Sequence, residues 1–147
     1  MPDHMTPEQR SRAMKRVKLK NGSLERIVQW ELTARSLKFR RHVRSLPGSP
    51  DIVFHGSKVA IFIDGDFWHG WRLPAWEHNL SSFWRDKLRT NRARDRRNFR
   101  KLRSHGWKVI RLWQHQIVTN LEDSITRIAG TVAPKQVDKR MREGLRR

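Results

Sequence analysis

Two aspartates stand at the ends of two short apolar segments in the middle of the chain. Asp51 precedes residues 52–54 and Asp64 follows residues 59–63, with turn-forming residues 55–57 between the segments. If the segments pair as an antiparallel hairpin about that turn, both carboxylates lie at the same end of it, roughly one strand spacing (~5 Å) apart. Two carboxylates this close repel each other unless a cation lies between them. The pattern therefore predicts a site for a hard divalent ion such as Mg²⁺.

His69 follows Asp64 closely enough to reach the same site. A histidine beside a metal acts as a general base for an attacking water or contacts the phosphate, while the metal polarises a phosphoryl oxygen. The combination indicates hydrolysis of a phosphodiester. Taken singly, each aspartate is also compatible with an ordinary turn carboxylate. Glu25 opens a predicted helix, where the helix dipole favours an acid in any case, so the residues alone leave its role open.

The charge of the chain indicates the substrate. Lysine and arginine number 33 against 14 aspartate and glutamate residues among 147, which gives a net charge of +19. A protein this basic repels itself unless a polyanion accompanies it, and nucleic acid is the usual one. An anionic membrane surface is the weaker alternative, because no apolar run approaches the ~20 residues that span a bilayer.

Two further features of the sequence bear on the cellular location of the protein and on the kinds of metal site it can have. The N-terminus has no signal-peptide pattern, so we expect a cytoplasmic protein. The chain has no cysteine, which excludes disulfides and thiolate metal sites.

Large aromatic residues stand on both sides of the predicted site. Phe67 and Trp68 directly precede His69, and Trp84 lies at the head of a long basic helix. Burial in the core is the usual fate of such residues, but next to a phosphodiester they can also wedge between base pairs. The long helix carries polar and basic residues that suit either a solvated face or phosphate contacts: Asn91, Arg94, Arg96 and Arg97.

The elements that must position these residues alternate between helix and strand. In chain order they are a basic helix from Thr6 that ends before Asn21, a helix beginning at Ser23, a strand over residues 38–43, the hairpin over 51–64, a helix over 83–105, a strand over 107–113 inside the sheet, and a helix over 121–129. Residues 70–82 are expected to be irregular. The order predicts one α/β domain over residues 1–133, including a basic N-terminal helix and arm over 1–22, and a basic, flexible tail over 134–147.

Several of these segments together resemble the very short patch repair (Vsr) endonucleases, members of the PD-(D/E)xK restriction-endonuclease-like group. The matching segments are Ser23 to Glu25, Leu46 to Asp51, Val59 to His69, Phe83-Trp84, Asn91 to Arg97 and Gly106 to Trp113. The resemblance implies a three-layer α/β/α fold with a small central mixed sheet. It also implies a monomeric, Mg²⁺-dependent nickase that cuts duplex DNA 5′ to the T of a T:G mismatch and works with mismatch-repair proteins.

The resemblance further implies roles for individual residues. Asp51 would be the central Mg²⁺ ligand, beside Asp64, with the main-chain carbonyl of Ile63 as another contact. His69 would activate or orient the water, and Glu25 would position His69 or the water. The residues that would contact DNA are Phe67, Trp68 and Trp84, inserted beside the mismatch, and Asn91 on the long helix.

The chain departs from the family pattern around the predicted site. Well-known members hold a structural Zn²⁺ with cysteine and histidine ligands, whereas the corresponding places here carry Asp66, Trp71, Leu73 and His115. We therefore expect no structural zinc, and Asp66, His78 and His115 offer only a poorer hard-ligand alternative.

Asp64 and Ile63 replace a histidine and a threonine of the well-known members. These changes bear on strict T:G specificity more than on cleavage itself. Two alternatives to a mismatch nickase remain at this point. One is a PD-(D/E)xK nuclease of broader specificity, as in restriction or defence, and the other is a basic DNA-binding protein without catalysis.

Overall fold

A four-stranded mixed sheet organises residues 22–132, the part of the chain that this computed structural model describes. The strands, in spatial order, are β1 (Arg40–Arg41), β2 (Ile52–Phe54), β3 (Val59–Asp64) and β4 (Lys108–Trp113). Neighbours β1–β2 and β2–β3 are antiparallel, and β3–β4 are parallel. The predicted helix from Thr6, the N-terminal arm and the predicted tail lie outside the described residues.

Helices connect and cover the strands. They are α1 (residues 22–34), α2 (Leu73–Trp76) with the 3-10 turn Glu77–Asn79, α3 (Ser82–Ser104), α4 (Gln114–Thr119) and α5 (Leu121–Val132). A parallel pair of strands needs a long crossover connection, and the segment containing α3 supplies it between β3 and β4. Within residues 22–132, no helix combines the length and the apolar character needed to cross a membrane.

Alternation along β3 divides the interior into two layers. Ile61 and Ile63 face one core, where Val28 of α1 and Ile128 of α5 are fully buried. The alternate residues Ala60 and Phe62 face a second core with Phe99 and Leu102 of α3. All of β3 is buried because helices cover both faces of the sheet. The prediction of a three-layer α/β/α fold of the restriction-endonuclease type, with a small mixed sheet, is confirmed.

The hairpin and the long helix agree closely with the prediction. Residues Ile52 and Ile61 are antiparallel partners about the predicted turn. Helix α3 begins after Ser81, whose hydroxyl accepts from the Trp84 amide at 3.5 Å. It ends before Gly106, whose φ of +84° is a conformation that glycine adopts without steric cost.

The prediction that the last strand lies inside the sheet is wrong for the described residues. Strand β4 pairs with β3 alone and forms an edge of the sheet. Its apolar pattern has another cause, because helices cover both of its faces. Ile110 and Leu112 pack into the core with α1 and α5, and Val109 packs towards α3.

Three shorter stretches also differ from the predictions. The first strand covers Arg40–Arg41 rather than 38–43, because His42 turns into the left-handed region with φ of +49°. Residues 70–82 contain α2 and the 3-10 turn instead of irregular chain only. Helix α4 was not predicted, since a helix this short carries little periodicity, and α5 runs on to Val132.

Candidate active site

Asp51 lies at the start of β2, where its carboxylate meets β3 and α1. The main-chain amide of Ile63 donates to Asp51 Oδ2 at 2.7 Å. Burial raises the pKa of Asp51 to about 7; the Ile63 amide opposes this shift, and the nearby carboxylates of Glu25 and Asp64 add to it. The hydrogen bond from the Ile63 amide thus offsets only part of the cost of burying the ionised carboxylate. A cation bound nearby would favour the ionised form.

Glu25 and His42 complete a group around Asp51. One ligand atom from each of the three side chains lies within 4.8 Å of the others. His42 Nε2 is 3.4 Å from Glu25 Oε2, and the His42 amide donates to the Asp51 carbonyl at 3.0 Å. Among residues 22–132, no other set of three or more histidine and carboxylate side chains converges in this way.

His42 is a site residue that the sequence reasoning missed. It lies one residue beyond β1, and the pairing of Arg41 with Ile52 brings it beside Asp51. The predicted strand over 38–43 contained His42, but its register against the hairpin was not readable from the sequence. A histidine near the end of a strand that pairs with the aspartate strand is the signal that could have found it.

His69 belongs to a second, adjoining cluster with two buried aspartates. Its Nδ1 lies 2.8 Å from Asp95 Oδ2 on α3, and its Nε2 lies 3.3 Å from Asp64 Oδ1 at the end of β3. Arg111 of β4 donates to both carboxylates, from Nε to Asp64 Oδ2 at 2.7 Å and from Nη2 to Asp95 Oδ2 at 2.8 Å. His69 and Arg111 therefore both contact the carboxylates of Asp64 and Asp95.

The two aspartates differ in their electrostatics. Burial raises the pKa of Asp64, although the charges of His69 and Arg111 oppose the shift. Burial acts on Asp95 in the same direction, but the hydrogen bond from His69 and the charges of His69 and Arg111 outweigh it and lower its pKa. Asp95 is thus held ionised, and its Oδ2 can accept a hydrogen bond from His69 Nδ1–H at 2.8 Å.

Two aromatic rings contact Arg111 in addition to its ion pairs. Its guanidinium lies 4.1 Å from the ring centroid of Trp113 and 5.1 Å from that of Phe99. Stacking on aromatic faces and two charge-assisted hydrogen bonds leave the side chain little freedom. Arg111 and Asp95 were not predicted as functional residues.

The predicted metal ligands are thus divided between the two clusters. Asp51 joins Glu25, whereas the carboxylate of Asp64 lies against Arg111 and His69. Asp64 remains close enough to raise the pKa of Asp51 by its charge. Ile63 contacts Asp51 through its amide, and a role for its carbonyl stays a prediction.

The aromatic residues predicted to meet DNA form one cluster beside His69. The ring of Trp68 lies 5.7 Å from Trp84 and 5.4 Å from Phe67, and Phe67 stacks on Trp76 at 5.8 Å. The ammonium of Lys87 lies over the Trp68 and Trp84 rings. These aromatic rings are partly exposed rather than buried in either core, so that they remain accessible to a ligand.

Asn91 is placed to support this cluster. Its side-chain amide donates to the Trp68 main-chain oxygen at 3.1 Å, one turn of α3 before Asp95 holds His69. Consecutive turns of the helix thus fix consecutive residues of the loop. The other predicted DNA contacts on α3, Arg94, Arg96 and Arg97, are exposed to solvent.

The loop in which the resemblance implies zinc ligands of other members is held here by hydrogen bonds and packing. Asp66 Oδ1 lies 2.8 Å from His115 Nδ1, and the Trp71 ring packs 4.3 Å from the His115 ring. Leu73 is fully buried. His78 does not join Asp66 and His115 in a group of candidate ligands within residues 22–132. A structural zinc is still expected to be absent from the protein.

Comparison with known proteins gives the family. Residues 2–74 match the family described as DNA mismatch endonuclease Vsr. The chain is 37% identical over 119 residues to the type II nicking enzyme V.XorIIP of Xanthomonas oryzae pv. oryzae, covering 80% of this chain and 88% of that protein. It is 34% identical over 140 residues to the type II nicking enzyme V.NmeDIP of Neisseria meningitidis serogroup C, covering 91% and 93%.

A relative named for mismatch cleavage is also similar. The DNA mismatch endonuclease Vsr of Escherichia coli is 34% identical over 110 residues, covering 71% of this chain and 69% of that protein. The family match over residues 2–74 includes the hairpin with Asp51 and Asp64 and the loop with His69. The chain belongs to the Vsr family of DNA endonucleases, enzymes that hydrolyse phosphodiester bonds in DNA.

Proposed function

We propose that this endonuclease is a Mg²⁺-dependent nickase that cuts one strand of duplex DNA 5′ to the T of a T:G mismatch. The observation that carries the proposal is the convergence of Glu25 and Asp51, close to Asp64, whose Oδ1 lies 3.3 Å from His69 Nε2. Trp68 of the accessible aromatic cluster directly precedes His69. Relatives named as nicking enzymes and as a DNA mismatch endonuclease support it.

The side chains around Asp51 fit a hard cation. Glu25 and Asp51 bring carboxylate oxygens together in a site where burial already raises the pKa of Asp51 to about 7. Oxygen ligands suit Mg²⁺, and its charge would offset the repulsion between the two acids. We assign Asp51 and Glu25 as the residues that hold the ion, with the Ile63 carbonyl as a further contact. When bound, Mg²⁺ supplies positive charge that stabilises the charge developing on the phosphate.

We assign the role of general base to His69. Its Nδ1 is held by Asp95 at 2.8 Å, whereas Nε2 lies at the longer distance of 3.3 Å from Asp64. Nε2 is therefore the nitrogen available to take a proton from an attacking water. The ionised Asp95 would stabilise the imidazolium that results, and it keeps the ring in the required tautomer.

Asp64 is better suited to positioning His69 than to holding the ion. Both of its oxygens already have partners, since Arg111 Nε lies 2.7 Å from Oδ2 and His69 Nε2 lies 3.3 Å from Oδ1. A metal would have to compete with the guanidinium for the same carboxylate. We therefore assign Asp64 to the residues that orient the base His69, and not to the metal ligands.

Recognition of the mismatch is assigned to the aromatic cluster. A T:G pair is less stable than a matched pair, so that less work is needed to open the stack beside it. Phe67, Trp68 and Trp84 offer partly exposed rings that could enter the opened step, while Arg94, Arg96 and Arg97 would contact the phosphates. We propose that the enzyme acts as a monomer in the cytoplasm, at the nucleoid, and hands the nicked strand to mismatch-repair proteins.

A nicking assay tests the proposal. Duplexes that differ only in a T:G pair or its matched counterpart are incubated with enzyme and Mg²⁺, and parallel reactions contain a chelator. We expect one strand to be cut 5′ to the T of the mismatched duplex, in reactions with Mg²⁺ alone. Equal cutting of both duplexes would replace the mismatch role by a nuclease of broader specificity. Binding without cutting of any duplex would leave a DNA-binding protein.

A further inference from the structure

His42 adds a nitrogen ligand to the two carboxylates proposed to hold the metal. Its Nε2 lies 3.4 Å from Glu25 Oε2, and the ligand atoms of His42, Glu25 and Asp51 are all within 4.8 Å of one another. The His42 side chain is 56% exposed, so an ion from solvent can reach the imidazole without displacing a packed group.

The backbone fixes this histidine in place. His42 has a φ of +49°, an unfavourable conformation for a residue with a Cβ. Its amide donates to the Asp51 carbonyl at 3.0 Å, and the next amide, of Val43, donates to the Pro50 carbonyl at 3.1 Å. Strained residues of this kind persist where the surrounding structure holds them, and they concentrate at functional sites. The position of the imidazole is therefore tied directly to the strand that carries Asp51.

Imidazole and carboxylate ligands select different ions. Carboxylate oxygens suit Mg²⁺, whereas imidazole nitrogen suits first-row transition metals, whose affinities exceed that of a hard ion at a mixed nitrogen and oxygen site. An alternative role for His42 is a hydrogen bond that orients Glu25. Such a contact would affect every ion bound by Glu25 alike, so the two roles are separable by changing the metal.

We propose that His42 is a third protein ligand, and that it gives the site a preference for divalent transition-metal ions over Mg²⁺. The proposal rests on the metal site proposed above and extends it by one residue and one class of ion. The same site would still accept Mg²⁺ through Glu25 and Asp51. Its selectivity for the ion would be set by a residue outside the predicted catalytic set.

Titration of the full-length protein with Co²⁺ and with Mg²⁺ tests this inference without measuring cleavage. Calorimetry gives each affinity, and the visible absorption of Co²⁺ reports nitrogen ligation. His42→Ala is expected to weaken Co²⁺ binding about tenfold, ~1.4 kcal/mol, while Mg²⁺ binding changes less than about threefold. His42→Gln, which keeps a hydrogen-bonding side chain, is expected to lose the same Co²⁺ affinity and the nitrogen-dependent absorption.

Two variants define the controls. His78→Ala removes an exposed histidine outside the group and should leave both affinities unchanged. Asp51→Asn should weaken both ions, which identifies the site being titrated. Equal losses for both ions in His42→Ala, full Co²⁺ affinity in that variant, or rescue by His42→Gln would overturn the ligand role of His42. If neither ion binds the wild type in a manner that depends on Asp51, the proposed metal site fails and the role of His42 fails with it.

Discussion

Arg111 donates from Nε to Asp64 Oδ2 at 2.7 Å, across the neighbouring strands β3 and β4. The same guanidinium reaches Asp95 on α3 at 2.8 Å, and these two aspartates are the carboxylates that face His69. Arg111 thus links the sheet to the long helix beneath the proposed base. Its charge offsets those of the two buried acids that contact the imidazole.

Replacing Arg111 by glutamine tests this positioning role. The buried acids Asp64 and Asp95 lose their shared cation, so the orientation and proton affinity of His69 should change. We expect kcat for nicking to fall by about a hundredfold, a typical worth of positioned general-base catalysis, with KM changed less than about threefold. The pH profile of kcat should shift, and Arg111→Lys should recover part of the rate because the charge returns.

Arg127→Gln is the matched control, since Arg127 is exposed on α5 and lies outside this network. It should leave kcat and its pH profile unchanged. If Arg111→Gln kept the wild-type kcat and pH profile, Arg111 would not position the base.

The elements that depend on local pattern were predictable from the sequence. The hairpin consists of two short apolar segments about a clear turn, and α3 is long and ends shortly before Gly106, so that both could be placed within about a residue. The group of side chains around Asp51 was predicted only in part. His42 joins it through the register between β1 and β2, which no local pattern encodes.

The second cluster depends on contacts distant in sequence. Arg111 and Asp64 are 47 positions apart, and they meet because β4 pairs in parallel with β3. The sequence placed an arginine in an apolar strand without indicating its partner. Tertiary packing also explains the apolar residues of β4. They are buried by helices on both faces of the sheet, whereas the prediction attributed them to a position between two strands.

The pKa of Asp51 predicts an unusual dependence of stability on pH. Burial and the neighbouring acids raise that pKa from 3.8 to about 7, so the folded state binds the proton more tightly than the unfolded chain. The stability from this group is present in full below pH ~4 and is lost as the pH rises to ~7. Asp51→Asn should therefore increase the free energy of unfolding at pH 8 without metal, by about 1–3 kcal/mol.

Denaturant unfolding at pH 5 and pH 8, with and without Mg²⁺, measures this effect. Mg²⁺ should stabilise the wild type and have little effect on Asp51→Asn. The exposed carboxylate variant Asp86→Asn should behave as the wild type does. Loss of stability in Asp51→Asn at pH 8 would show that the ionised carboxylate stabilises the metal-free fold, contrary to the prediction.

Contacts between Asp66 and His115 are expected to brace the loop in place of a metal. Asp66 Oδ1 lies 2.8 Å from His115 Nδ1, and the Trp71 ring packs on the histidine ring. Asp66→Ala should lower the free energy of unfolding by about 1 kcal/mol, the usual net worth of one such hydrogen bond. Elemental analysis of the purified wild type should find no stoichiometric zinc. One zinc per chain, lost in Asp66→Ala, would contradict this account of the loop.

Trp68 is predicted to act on the DNA rather than on the fold. Stacking of an aromatic residue on a base contributes about 1–3 kcal/mol, so Trp68→Ala should weaken nicking of a T:G duplex by roughly tenfold to a hundredfold. Binding to matched duplex, which depends on phosphate contacts, should change little. Trp30→Ala is the control, because Trp30 is 75% exposed on α1, outside the aromatic cluster. Equal effects of the two substitutions would count against a specific role for Trp68.

The most direct test of the central claim is single-turnover nicking of a T:G duplex by Asp51→Ala, measured together with its binding to the same duplex. Asp51 is proposed to hold the metal, and its negative charge otherwise repels phosphate. We expect Asp51→Ala to abolish Mg²⁺-dependent nicking while DNA affinity stays equal or increases. Nicking at the wild-type rate, or loss of binding together with activity in a variant that remains folded, would contradict it.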